Sequence, residues 1–329
     1  MKKHKICKIF FVILAIFLCV AFYELLGICV AYKKQPEVSN TTKKETKNGS
    51  WNECSENTER AVIIEKNPEA LLQRVRLIKN AKKEIILSTF AFQSDESGKL
   101  ILGALHDAAD RGVHIRLLVD GMESWIDMEG NPYFYGLSSH ENVEIKLYNK
   151  ANPLKPWKIM GRMHDKYLIA DGKRYILGGR NTYNYFLGDF PGHKNYDRDV
   201  LVVCDEPEKE NSVNQLSEYF ETIWNQEDCG YFHNNKKLAN RKSVKNAVLE
   251  LQNGYQKYFE ENKERICDTD YTDETFETEK ITLVSNPIHT GSKEPVVWYQ
   301  LGELMKNAKN RVKIHTPYII CNDMMYNTW

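Results

Sequence analysis

Met163-His-Asp-Lys-Tyr-Leu-Ile-Ala-Asp-Gly-Lys-Arg-Tyr-Ile-Leu-Gly-Gly-Arg-Asn181 carries more information than any other part of the chain. Two short apolar runs, residues 167–170 and 174–177, flank Asp171-Gly172, a dipeptide suited to the tight turn of a β-hairpin. His164 and Lys166 stand two residues apart, so on a strand they project from one face. A neighbouring ammonium lowers the pKa of an imidazole, which leaves the ring neutral and free to attack phosphorus while the lysine draws a phosphodiester. Gly178-Gly179 permits close approach of the backbone to a ligand, and Asn181 can donate an amide hydrogen bond to a phosphate oxygen. Together these groups can hold the charge that builds on a phosphate in the transition state. No carboxylate cluster suited to magnesium stands nearby in the sequence, so chemistry without metal or cofactor is the simpler expectation.

Outward from this segment the pattern is that of a sheet with helices. Residues 68–80 space Leu71, Leu72, Val75 and Ile78 along one helical face, and residues 84–92 form a β-rich run. A second helix over 100–111 stops at Gly112, and a buried strand follows over 113–120. Strand, helix and strand at this spacing make a βαβ unit, hence a parallel or mixed sheet covered by helices. Further strands are expected over 143–148 and 200–204. Leu216, Tyr219, Phe220 and Ile223 mark a helix over 213–224. The fold class expected is α/β, a mixed sheet flanked by helices.

The remaining regions bound the organisation. Residues 1–8 are basic, and the apolar run 9–32, broken only by Glu24, is long enough to cross a hydrocarbon core of ~30 Å as one helix. The basic start favours an N-in orientation, which places the rest of the chain on the extracytoplasmic side of the cell membrane. A cleaved signal peptide is the rival reading, but the run is long for such a segment and no A-x-A site follows it. Residues 33–60 are polar and read as a stalk, 61–233 as the main domain and 234–280 as a polar linker. Lys plus Arg and Asp plus Glu both number 45 among 329 residues, so no overall basic field attracts nucleic acid. Five of the eight cysteines, Cys54, Cys204, Cys229, Cys267 and Cys321, lie outside the anchor without C-x-x-C spacing, which argues against a metal site.

His164-x-Lys166-x4-Asp171-x6-Gly178-Gly179-x-Asn181 resembles the H-x-K-x4-D signature of the phospholipase D superfamily with its trailing Gly-Gly/Ser-x-Asn. The flanks are similar to the bacterial cardiolipin synthase branch: Tyr185-Phe186, Asp197-Arg-Asp199 before a strand, and Phe220-Glu-Thr-Ile-Trp-Asn225. The resemblance covers roughly residues 61–329. It implies that His164 forms a phosphohistidine or serves as the general-acid partner. It also implies that Lys166 and Asn181, with Gly178 and Gly179, bind phosphate. Asp199 is the candidate for the carboxylate that orients the histidine, Asp197 stands in reserve, and Asp171 has a supporting role. The implied substrate is a phospholipid, phosphatidylglycerol or cardiolipin.

Family enzymes build one active site from two such motifs. An internal repeat bears on this: Ile78-Lys-Asn-Ala-Lys-Lys-Glu-Ile-Ile-Leu-Ser-Thr-Phe90 aligns with Met305-Lys-Asn-Ala-Lys-Asn-Arg-Val-Lys-Ile-His-Thr-Pro317. A second domain is therefore expected to begin at 281 and to run incomplete to 329. At the repeat's lag its own motif falls near position 391, beyond this sequence. His289 and His315 lack a lysine two residues on. The expectations are a truncated enzyme or inactive remnant, a subunit whose partner chain supplies the second motif, or a homodimer that pairs two His164 residues. A homodimeric phosphodiesterase acting on nucleic acid is the alternative activity.

Overall fold

In the computed structural model, residues 2–31, 33, 36–48, 59–207, 211–233, 235–314, 316 and 326 are described. The chain runs through α1 (Lys2–Ala31), α2 (Asn40–Asn48), β1 (Arg60–Ile64), α3 (Asn67–Asn80), β2 (Glu84–Thr89), α4 (Glu96–Asp110), β3 (His114–Asp120), α5 (Gly121–Asp127) and α6 (Pro132–Ser138). It continues with β4 (Val143–Tyr148), β5 (Tyr167–Ala170), β6 (Arg174–Gly178), β7 (Asp199–Val203), α7 (Ser212–Trp224), β8 (Cys229–Tyr231), α8 (Lys242–Glu261), α9 (Lys263–Cys267), β9 (Phe276–Glu277) and α10 (Val296–Lys306). The described residues of 54–151 and 162–283 form one unit, and those of 1–53, 152–161 and 284–329 form another.

The larger unit is a mixed nine-stranded sheet in the order β8-β4-β3-β2-β5-β6-β7-β1-β9. β2, β3 and β4 are parallel, as the expected βαβ unit requires, and β5 turns antiparallel against β2 with Ser88 opposite Tyr167. The Asp171-Gly172 turn joins β5 to β6, with φ of 55° and 63° in the left-handed region that tight hairpins need. The Asp171 carboxylate accepts from the backbone N–H groups of Lys82, Lys83 and Glu84 at 2.7–3.1 Å, fastening the α3–β2 turn to the hairpin. Both faces of the sheet are covered, so the central strands are buried throughout. Leu168 and Ala170 join the core made with α3 and α4, while Tyr167 points to the other face and meets Phe220 of α7 edge-on.

The segment read as a polar linker belongs to this unit. Val244, Ala247, Leu251, Tyr255 and Phe259 are buried along one stripe of α8, at spacings of three and four that charged neighbours mask in the sequence. The stripe packs on α4 and α6. Gly103 of α4 allows the close approach, since a Cβ there would lie 2.6 Å from the Tyr255 Cβ. β9 then pairs with β1, which starts at Arg60 and so just inside the expected stalk. The domain boundary expected at 233 therefore falls too early, because the apolar face of α8 has its burial site on α4.

In the other unit, α2 occupies part of the stretch expected to be an irregular stalk. Ser39 N–H and the Thr42 hydroxyl both donate to the Glu294 carboxylate, at 2.8 and 2.7 Å. α1 packs against a single 3-10 turn at Pro156–Lys158. In the expected second domain, α10 ends at Lys306, and described residues 307–314 carry no strand. His289 sits in a bend where its Nδ1 accepts from Gly291 N–H. His315 and Pro317 of the repeat, with Cys54 and Cys321, lie outside the described residues. Cys229 and Cys267 form no disulfide among the described residues.

Candidate active site

The C-terminal ends of the parallel strands β2 and β3 come to one end of the sheet. Because β5 and β7 run antiparallel to their neighbours, their first residues reach the same end, and β6 finishes there. This end of an α/β sheet is where loops are free to hold a ligand. Phe90 leaves β2, Asp120 ends β3, residues 162–166 lead into β5, Asn181 follows β6 and Asp197 precedes β7. All the chemistry-bearing groups of the quoted segment except Asp171 converge there.

His164 and Lys166 do not sit on a strand, contrary to the expectation. The ladder of β5 starts at Tyr167, and residues 162–166 run irregularly into it. Only one further bond, Gly178 N–H to the Lys166 carbonyl at 3.1 Å, extends the pairing. The two side chains consequently part: His164 is exposed while Lys166 is buried, its ammonium donating to the His164 carbonyl at 2.7 Å. Phe90 serves both. Its ring meets the imidazole edge-on at 4.6 Å between centroids, and the Lys166 ammonium stands 5.2 Å from its centre.

Electrostatics follow from that arrangement. Partial covering of its ring lowers the pKa of His164, Lys166 and Arg162 act in the same direction, and Asp120 opposes them. Burial pulls Lys166 down to about 8, against the charges of Asp165 and Asp197. The imidazole is thus neutral at neutral pH, and the ammonium is still charged there but close to its titration point. Asn181 is buried with its Oδ1 held by Ala91 N–H at 3.2 Å, and its side chain also hydrogen-bonds Tyr183.

The two downstream carboxylates separate in role. Asp199, the first candidate for orienting His164, is buried and bound by two arginines, Arg74 at 2.9 Å and Arg180 at 3.2 Å. No hydrogen bond from Asp199 or Asp197 reaches the His164 ring among the described residues. Asp197 is the one whose charge acts on Lys166. The glycine pair also differs from expectation. A Cβ on Gly178 would collide with Asp199 Oδ1, and one on Gly179 with the Asp197 carboxylate, so both glycines make room for these carboxylates. Asp171 lies at the opposite end of β5, in the turn where it binds three backbone N–H groups.

Sequence reading missed Asp120. Its carboxylate is buried and caps α5 through Met122 and Glu123 N–H at 3.0 and 3.3 Å. Its Oδ1 accepts from Arg162 Nε at 2.8 Å, and its Oδ2 from Met163 N–H at 3.1 Å. Asp120 therefore grips the two residues that precede His164 and is the carboxylate whose charge the imidazole feels. The available signal was its place at the C-terminal end of an apolar parallel strand, where Phe90 follows β2 in the same way.

Residues 74–224 match the family model described as cardiolipin synthase, phospholipase D-like domain. A protein without assigned function from Helicobacter pylori strain J99 is 30% identical over 212 residues, which cover 60% of this chain and 39% of that protein. Cardiolipin synthase C of Escherichia coli K12 is 29% identical over 171 residues, 48% of this chain and 34% of that enzyme. The chain thus matches well under two thirds of the length of these relatives. Phosphatidylserine synthase of Haemophilus influenzae, a solved structure, is 17% identical with a TM-score of 0.45 over 67% of this chain and 48% of that one.

Proposed function

Residues 74–224 are a phospholipase D-like domain of the cardiolipin synthase kind, and from that premise we propose that the chain supplies one half-site for phosphatidyl transfer or hydrolysis at a membrane. The observation that carries the reading is an exposed imidazole with a lowered pKa beside a buried ammonium that titrates at about 8. An imidazole nitrogen of His164 attacks phosphorus and forms a P–N bond, while the P–O bond to the leaving alcohol breaks. Lys166 and Asn181 hold the phosphate oxygens as charge develops on them. The leaving alkoxide takes its proton from a second His-x-Lys motif that completes the site. That same group then removes a proton from the incoming hydroxyl, of a lipid alcohol or of water, whose oxygen displaces His164. Asp120 and Phe90 fix the imidazole, and Asp197 sits where its charge tempers Lys166.

The substrate class is phospholipid, with phosphatidylglycerol or cardiolipin as the expected donor. The apolar helix spanning Lys8–Ala31 supports a membrane setting by anchoring the chain at lipid, with the domain on the extracytoplasmic side. The test is phosphatidyl transfer from phosphatidylglycerol vesicles by the full chain, beside His164→Ala. The expected result is transfer that falls by about 10²–10⁴-fold in the variant. Equal rates in the two proteins would overturn the reading.

A further inference from the structure

Residues 152–161 pack against α1 near its C-terminal end, within the smaller unit. A Cβ on Gly27 would come within 2.5 Å of the Pro156 ring, so the loop lies directly on the helix there. The Tyr23 hydroxyl, one turn earlier, donates to the Leu154 carbonyl at 3.0 Å. Glu24, Gly27, Ile28 and Ala31, one helical face, are half-buried, whereas most of the span is exposed. At 1.5 Å per residue, Gly27 stands ~6 Å from the end of the apolar span at Ala31. That is the depth at which the hydrocarbon gives way to headgroups.

The loop is composed for that depth. Leu154, Met160 and Trp157 expose 77%, 59% and 44% of their surface, although they are large apolar side chains within seven residues of one another. Lys155 and Lys158 alternate with them. Tryptophan and lysine beside aliphatic side chains are the mixture that settles at a bilayer surface, with the rings and chains in the acyl boundary and the ammonium groups among anionic headgroups. An exposed apolar cluster of this kind needs an occupant, and the helix on which it rests commits that occupant to lipid. We propose that residues 152–161 are a second membrane contact, a loop that rests in the headgroup layer of an anionic bilayer against the end of α1. The inference rests on the reading of α1 as a membrane anchor.

Photoreactive p-benzoylphenylalanine in place of Leu154 or Met160, in the full chain reconstituted in phosphatidylglycerol–phosphatidylcholine vesicles, tests this directly. Leu249, an exposed position on α8, is the control. The expected result is lipid adducts at 154 and 160 several-fold above those at 249. Adducts to protein instead of lipid, or lipid adducts no higher than at 249 in a chain that resists alkaline extraction, would overturn the loop inference and leave the anchor standing. A chain that alkaline extraction releases from the vesicles would refute the anchor and the loop together. The phosphatidyl-transfer comparison with His164→Ala is read independently of both.

Discussion

Asp197 and Asp199 are two residues apart and chemically identical, yet burial gives them different work. Asp199 balances Arg74 and Arg180 in the interior, and its removal leaves two buried guanidinium groups without their counter-charge. Asp199→Asn is therefore expected to cost about 3–5 kcal/mol in a denaturant unfolding curve. Asp197→Asn should leave stability nearly unchanged and alter turnover through Lys166. The pH profile belongs to the same scale. Lys166 is charged below about 8 and loses its hold on phosphate as pH rises through that value, so kcat/KM should fall on an alkaline limb near pH 8. His164 must be neutral to attack, and its pKa is held below 6.5, so the acid limb should lie below that value. Asp120→Asn removes the one charge that raises the His164 pKa and one acceptor that holds Met163. The acid limb is then expected to move to lower pH while the rate falls roughly 10- to 100-fold as the ring loses its position. The meeting of His164, Lys166 and Asn181 at one end of the sheet was legible in their spacing around the Asp171-Gly172 turn. Asp120, Phe90 and Arg74 were not, because they reach the site or its supporting pair from other elements, through the fold alone.

At the scale of elements, the periodicities that decide strand from helix were visible wherever apolar residues dominated a segment. β2, α4, β3, β4 and α7 all follow their expected positions within a few residues. α8 was hidden because its five buried positions lie among lysines, glutamates and asparagines, and average polarity outweighed the stripe. β5 coincides with the first apolar run of the hairpin, Tyr167–Ala170, and β6 runs one residue past the second. If α8 is part of the core, Leu251→Ala should destabilise the unit by about 2–5 kcal/mol, as for other buried leucines. A separate linker helix would lose far less, and thermal unfolding of the full chain distinguishes the two.

For the whole molecule, the sheet sets the geometry of the chemistry. A parallel β4-β3-β2 half meets an antiparallel β5-β6-β7 half between β2 and β5, and the candidate nucleophile stands at that change of direction. A single motif offers a nucleophile and phosphate ligands but no second acid, which is why the proposed site needs a complementary motif. Mass spectrometry of the full chain, quenched during turnover of phosphatidylglycerol in vesicles, tests the central claim most directly. A phosphatidyl adduct on His164, stable to base, labile to acid and absent from His164→Ala, is the predicted result. A folded, vesicle-bound chain that transfers phosphatidyl groups without modification at His164 would contradict it.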